Sequence, residues 1–175
     1  MASSKNLLQR LTGGDRRSIG RSDEVAALVL KQPALFAELM TGVRDADPLV
    51  RMRAADAAEK ASRQQPELLR PFKAELLRLL EEASQQEVLW HMAQMLPRVP
   101  LTTKERLRAA SALRRHMQDP SLIVRTCALQ ALAEIAAEDA SLQPQVKASL
   151  RKAMKTGTAA MKARSRKLLR QFGVP

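Results

Sequence analysis

Two segments of this chain repeat one another 74 residues apart. Val50-Arg51-x-x-Ala54 falls on Val124-Arg125-x-x-Ala128, Asp45 falls on Asp119 at the same offset, and Leu69-x-Pro71 falls on Leu142-x-Pro144 at 73. Fainter copies lie at half that distance, where Val88 and Met161 open further apolar runs. The four starts, Val50, Val88, Val124 and Met161, are separated by 38, 36 and 37 residues. A copy of this length is one supersecondary unit with more apolar surface than it can bury alone, so neighbouring copies must stack to make a core.

Every copy reads as helical. Ala, Leu, Arg, Glu and Gln dominate, whereas strand-forming aromatics are scarce, with three Phe, one Trp and no Tyr. One capped helix runs from Asp47-Pro48 to about Arg63, and its counterpart opens at Asp119-Pro120. A third, from Val88, is stopped by Pro97 and Pro100, and Met161 begins a fourth. Partner helices are expected at 67–83, at 103–117, where Thr102 and Glu105 have the spacing of a capping box, and at 145–155.

Upstream, Ser22 followed by Asp23 and Glu24 is a helix start. Its hydroxyl is placed to accept from a free amide, and the acids suit the positive end of the helix dipole. A further helix begins after Pro33 and ends at Gly42. Residues 1–21 read as a short amphipathic helix, Leu7, Leu8 and Leu11, followed by a basic, partly mobile loop broken by Gly13-Gly14 and Gly20. The organisation expected is this segment plus a repeat domain over 22–175, with helical hairpins at about 22–42, 33–64, 66–99, 102–139 and 142–173.

Counting at 100° per residue from each start, offsets 0, +4, +7, +8 and +11 share one side. They are Val50, Ala54, Ala57, Ala58, Ala61; Val88, Met92, Met95, Leu96, Val99; Val124, Ala128, Ala131, Leu132, Ile135; and Met161, Ser165, Leu168, Leu169, Phe172. This stripe is the expected core. Offsets +2, +3, +6 and +10 point the other way: Met52, Arg53, Asp56, Lys60; Trp90, His91, Gln94, Arg98; Thr126, Cys127, Gln130, Glu134; and Ala163, Arg164, Lys167, Gln171.

A hairpin of this length, with Asp in the turn, Val-Arg at the start of the second helix and then Ala and Leu at spacings of three and four, resembles the HEAT repeat. Asp45, Asp47, Val50, Arg51 and Ala54 carry the resemblance in one copy, and Asp119, Val124, Arg125, Ala128, Leu132 and Ile135 in another, over roughly residues 33–172. The resemblance implies an all-α fold, a right-handed α-solenoid of four to five hairpins. In it Arg51 and Arg125 would pair with the turn aspartates Asp45 and Asp119 as a ladder bracing neighbouring copies. The Val88 copy departs from the pattern with Leu89 in place of Arg, and the Met161 copy with Lys162 and no turn Asp.

In such a solenoid the second helices line a concave face that binds extended partners. The function expected is therefore a non-catalytic scaffold holding a protein or peptide on Arg53, Asp56, Lys60, Trp90, His91, Gln94 and Arg98. Trp and Arg are the types that most often dominate binding energy. Some HEAT-like proteins are DNA glycosylases for alkylated bases, which use groove aromatics and a carboxylate; Trp90 and Asp56 are the residues of those types here.

Charge supports a second reading. The formal net charge is +12, of which residues 1–22 hold +4 and residues 140–175 hold +9 with no acid at all. Arg151, Lys155, Arg164, Lys167 and Arg170 are spaced to put several charges on one helical face and could contact nucleic-acid phosphates. Against specific base recognition, the block holds no aromatic but Phe172.

Catalytic groups are few. Cys127, His91 and His116 are the only thiol and imidazoles, and Gly13-Gly14 lacks the Lys of a phosphate loop. No disulfide within the chain is possible, no cofactor or metal is expected, and no apolar run approaches a membrane span. A cytoplasmic protein with no membrane partner is the expectation.

Overall fold

The computed structural model describes residues 5–15 and 17–174, so the reading of residues 1–4 and 16 lies outside them. Among the described residues there are ten α-helices and no strand. No helix is long and apolar enough to cross a membrane. The chain divides into two units, Met1–Val99 and Pro100–Pro175.

The first unit holds α1 (Lys5–Gln9), α2 (Ser22–Lys31), α3 (Phe36–Gly42), α4 (Pro48–Gln64), α5 (Lys73–Glu82) and α6 (Gln86–Met95), with 3-10 turns at Pro33–Leu35, Pro66–Phe72 and Leu96–Arg98. The long helix α4 is its centre and packs against α2, α3 and α6, while α1 packs on α3 and α5 on α6. Its start is built from the turn acids: Asp45 Oδ1 accepts from the Asp47 amide at 2.8 Å, and Asp47 Oδ1 accepts from the Leu49 amide at 2.8 Å. Ala54, Ala55, Ala57, Ala58 and Ala61 are all fully buried, because small side chains let three helices approach one axis. Gly42 continues this close approach, since a Cβ there would lie 3.0 Å from that of Ala54.

Three local expectations are corrected. The helix expected to open at Asp119-Pro120 is capped by Ser121 and begins at Leu122. The single helix at 67–83 is broken: residues Pro66–Phe72 form a 3-10 segment and α5 begins only at Lys73. Pro71 has no amide to donate and its ring opposes a preceding helical carbonyl, which accounts for the break. Ser22 does not cap α2. It is the first helical residue, fully buried, and its hydroxyl donates to Asp56 Oδ2 at 2.5 Å.

The second unit holds α7 (Thr103–His116), α8 (Leu122–Ala137), α9 (Gln143–Thr156) and α10 (Ala159–Gln171). Here α8 packs on α7, α9 and α10, and α9 packs on α10. The capping box of α7 closes as its spacing predicts, with the Thr102 amide donating to Glu105 Oε2 at 2.7 Å and the Glu105 amide to Thr102 Oγ1 at 3.3 Å. Arg106 ties the start of α7 to the α8–α9 turn, donating to Asp139 Oδ2 at 3.0 Å and to the Leu101 carbonyl at 2.6 Å. The apolar stripe is buried throughout both units, except that Phe172 is half-buried.

Candidate functional site

Arg53 was expected on an open face. It is instead 2% exposed, with its guanidinium enclosed by the chain between α1 and α2. Nε donates to the Ser18 carbonyl at 3.1 Å, one terminal nitrogen to Leu11 and Gly13 at 2.9 and 2.6 Å, and the other to Asp15 at 3.2 Å. A planar fork with five donors suits this ring of carbonyls, and no shorter side chain could reach it. Gly20, at φ +55°, lies so close that a Cβ would sit 2.7 Å from Arg53 Cζ.

Three residues of the expected patch, Asp56, Lys60 and His91, come together on α4 and α6. Lys60 Nζ lies 2.6 Å from Asp56 Oδ2 and 2.5 Å from Asp23 Oδ1 on α2, and Asp56 also accepts from Ser22. His91 Nε2 is 3.8 Å from Asp56 Oδ1. Burial works to lower the Lys60 pKa, but the bonds to Asp23 and Asp56 outweigh it and hold the ammonium above its usual range. Burial depresses the His91 pKa despite the nearby Asp56 and Glu59, so the imidazole is held neutral. Its Nδ1 is sealed from solvent without a hydrogen-bond partner.

Arg98 belongs to a second knot, centred on Glu59, which the helical phase had not singled out. Glu59 is buried and receives Arg98, and Arg63 at 2.5 Å; Arg98 also donates to the Glu59 carbonyl at 3.0 Å and to Ser62 Oγ at 2.9 Å. Burial raises the Glu59 pKa, yet the two guanidinium groups outweigh it and hold the carboxyl below its usual range. The only sequence signal for this knot was the spacing of Glu59 and Arg63, four residues apart on one helix.

Of the seven expected partner-binding residues, the structure therefore brings Asp56, Lys60 and His91 together, ties Arg98 to Glu59, and removes Arg53 to the interior. Trp90 and Gln94 are half-buried, and the Trp90 ring leans on His91 at 5.6 Å between centroids and 60° between planes. Asp56 is engaged by the Ser22 hydroxyl and the Lys60 ammonium.

The ladder also differs from what the resemblance implies. Arg51 donates to the backbone carbonyls of Asp45 and Ala46, at 2.8 and 3.1 Å, and to Gln85 Oε1 at 2.8 Å. The carboxylates of Asp45 and Asp119 are occupied by the amides of Asp47 and Ser121, each at 2.8 Å. Among the described residues Arg125 has no counterpart of these bonds, and its Nε is buried without a partner.

In the second unit the outward positions divide: Cys127 is buried and Thr126 half-buried, whereas those of α10 are exposed. Gln130 and Glu134 of α8 face Ala163, Arg164, Lys167 and Gln171 of α10 across a groove of about 590 Å³. These six residues are ones the helical phase placed outward in the last two copies. Gln130 Nε2 donates to Glu134 Oε1 at 2.5 Å, and Arg164 donates to Gln130 Oε1 at 3.3 Å. Arg151, Lys155, Arg164, Lys167 and Arg170 are all exposed. Phe172 is covered by Lys147, whose Nζ is 5.6 Å from the ring centroid.

Among the described residues no group of three His, Cys, Asp or Glu is placed to hold a metal ion. Comparison with protein-family models and with curated proteins finds no match for this sequence.

Proposed function

We propose that this chain is a non-catalytic binding module made of HEAT-like hairpins, and that its second unit holds the backbone of a nucleic acid along α10. The observation that carries this reading is the open groove beside Arg164 and Lys167, set in a stretch, residues 140–175, that has nine cations and no acid. On α4 and the 3-10 turn after α6, by contrast, the donors of Arg53 and Arg98 are spent inside the first unit. With Glu134 the one carboxylate among the described residues lining the groove, Arg164 and Lys167 keep donors to neutralise phosphates and release counterions. The absence of an exposed aromatic platform on α9 and α10 makes the contact one of backbone and charge, tolerant of base sequence.

Fluorescence anisotropy of labelled single-stranded and duplex oligonucleotides tests this. Binding should fall steeply between about 50 and 200 mM salt. Arg164→Glu with Lys167→Glu should weaken it and flatten the salt dependence by about two phosphate contacts. No binding at low salt, or an unaltered salt slope in the double variant, overturns the reading. Glu134, in the same groove, favours a second reading in which a protein or peptide sets a donor against that carboxylate. Glu134→Gln separates the two, strengthening binding to a polyanion and weakening binding to such a peptide.

A further inference from the structure

The repeat supplies its own control for a second site, distinct from the α8–α10 groove. Two clefts lie at equivalent places in the two units, one beside Arg51 with a volume of about 330 Å³ and one beside Arg125 with a volume of about 80 Å³. Val43, Arg44, Arg51, Glu82 and Ala83 of the first match Met117, Gln118, Arg125, Thr156 and Gly157 of the second, each 74 residues on.

In the first unit each guanidinium around the cleft has an acceptor, although Arg78 Nη2 is buried without one. Arg44 meets Glu75 at 2.5 Å, Arg78 meets Glu82 at 3.4 Å, and Arg51 meets Gln85 and two carbonyls. At the same offset in the second unit Glu75 is replaced by Ser149, Glu82 by Thr156, Arg78 by Lys152 and Arg44 by Gln118, while Arg125 is kept. The place of Gln85, three residues before the start of the following copy, is taken by Thr158, whose hydroxyl is used in capping α10 through the Met161 amide at 3.3 Å. Both acids are gone, and two of the three cations remain. The buried Arg125 Nε is left with no acceptor. Leaving such a donor unpaired is costly, and an acceptor from outside the chain would recover that cost.

We propose that the cleft lined by Arg125, Lys152, Ser149 and Thr156 is an oxyanion site that takes one phosphoryl group, as free phosphate or as the end of a small phosphate ester. Its volume is several times the ~10–15 Å³ that a cavity needs to hold one water, which leaves room for a small oxyanion. A guanidinium and an ammonium converging from α8 and α9 supply the charge-assisted bonds. The Ser149 and Thr156 hydroxyls, which now donate to the Gln145 and Lys152 carbonyls at 3.1 Å each, turn to supply two more donors. Donors from several directions match a phosphoryl group better than a planar carboxylate.

The test is a titration of the full chain with inorganic phosphate against chloride of equal ionic strength. It is followed by the arginine Nε–Hε resonances and by Tm, and repeated with methyl phosphate. The Arg125 resonance should shift saturably, and Tm should rise by about 2–4 °C at phosphate several times Kd. A response to phosphate alone makes the ligand the free ion; a response to both makes it the phosphoryl end of an ester.

Arg125→Met should fold with an unchanged or raised Tm in chloride and lose the phosphate response. Ser149→Glu with Thr156→Glu, which restores the acids of the first unit, should raise Tm in chloride and also lose the response, giving a readout that does not depend on the first variant folding. Arg51→Met, in contrast, should lower Tm and leave the response intact. An unshifted Arg125 resonance through a millimolar titration, or a phosphate response that survives in the acid-restored variant, overturns the proposal.

Discussion

Replacing Arg53 by Met removes the guanidinium while keeping most of the stem, and so isolates what holds the segment between α1 and α2. Four carbonyls, those of Leu11, Gly13, Asp15 and Ser18, lose a charged donor at 2.6–3.2 Å. A hydrogen bond to a charged group contributes about 1.5–3 kcal/mol on its own, but the four share one side chain and are not additive. Residues 12–15 and 17–20 are exposed, so freed carbonyls can rehydrate if the loop opens. The loop should therefore open locally at a net cost of about 1.5–3 kcal/mol, well short of the full sum.

Leu7 and Leu11, at 3% and 0% exposure, keep α1 attached, because burying each is worth about 1.5–3 kcal/mol independently of Arg53. The expected result is an approximately 10- to 100-fold faster trypsin cut after Arg17 and a matching loss of amide protection over 12–20. Protection of α4 to α6 should be nearly unchanged. Gly20→Ala should act in the same direction, since its φ of +55° disfavours a side chain and the new Cβ meets Arg53 Cζ. If the cleavage rate and the protection of 12–20 match those of the parent chain, the guanidinium does not hold this segment and the reasoning fails.

Further outcomes follow from the packing and from the ionic groups. With the folded pKa of Glu59 held below 4.5, the unfolded chain takes up its proton first on acidification, so this stabilisation is complete above about pH 4.5 and is lost as pH falls through the folded value. His91, held below 6.5, acts in the same sense at higher pH: the unfolded imidazole protonates near 6.5 while the buried one resists, so stability declines as pH drops below that. Tm measured from pH 8 to pH 4 should fall in both windows, with Glu59→Gln flattening the lower and His91→Met the upper. Ala54→Leu overpacks the junction of α3 and α4, where Ala54 is fully buried and a Cβ on Gly42 would already lie 3.0 Å from its own, and should lower stability in a urea titration by about 1–3 kcal/mol. Thr102→Ala deletes the α7 cap and should cost about 1 kcal/mol, seen as a Tm lower by about 2–4 °C.

The ladder shows where family resemblance and physical contact part. The arginine positions were legible because they recur at a fixed spacing, but their partners were not. Each aspartate carboxylate is nearer to an amide two residues along its own turn than to any guanidinium, and the local bond wins. The orphaned Arg125 then becomes visible only by setting one copy's contacts against the other's. Ser22 teaches the same thing from the opposite side. A sequence that reads as a local cap is spent on Asp56, 34 residues away, because α2 packs on α4 and buries the hydroxyl against that carboxylate.

What the residues alone determined is the helical content, the length of the repeating unit and the side of each helix that is buried. All three follow from a period of 3.6 residues and from the stops set by Pro, Gly and capping residues, which act within a turn or two of the chain. What only the tertiary structure decided is the fate of the opposite side. On α10 that side stays open, and Arg164 and Lys167 face the groove with α8. On α4 the same offsets are covered by α2 and by the loop before it, so Arg53 bonds to carbonyls up to 42 residues away and Lys60 to an aspartate 37 away. Helical phase reports the direction in which a side chain leaves its own axis; what lies in that direction depends on which distant segment packs there.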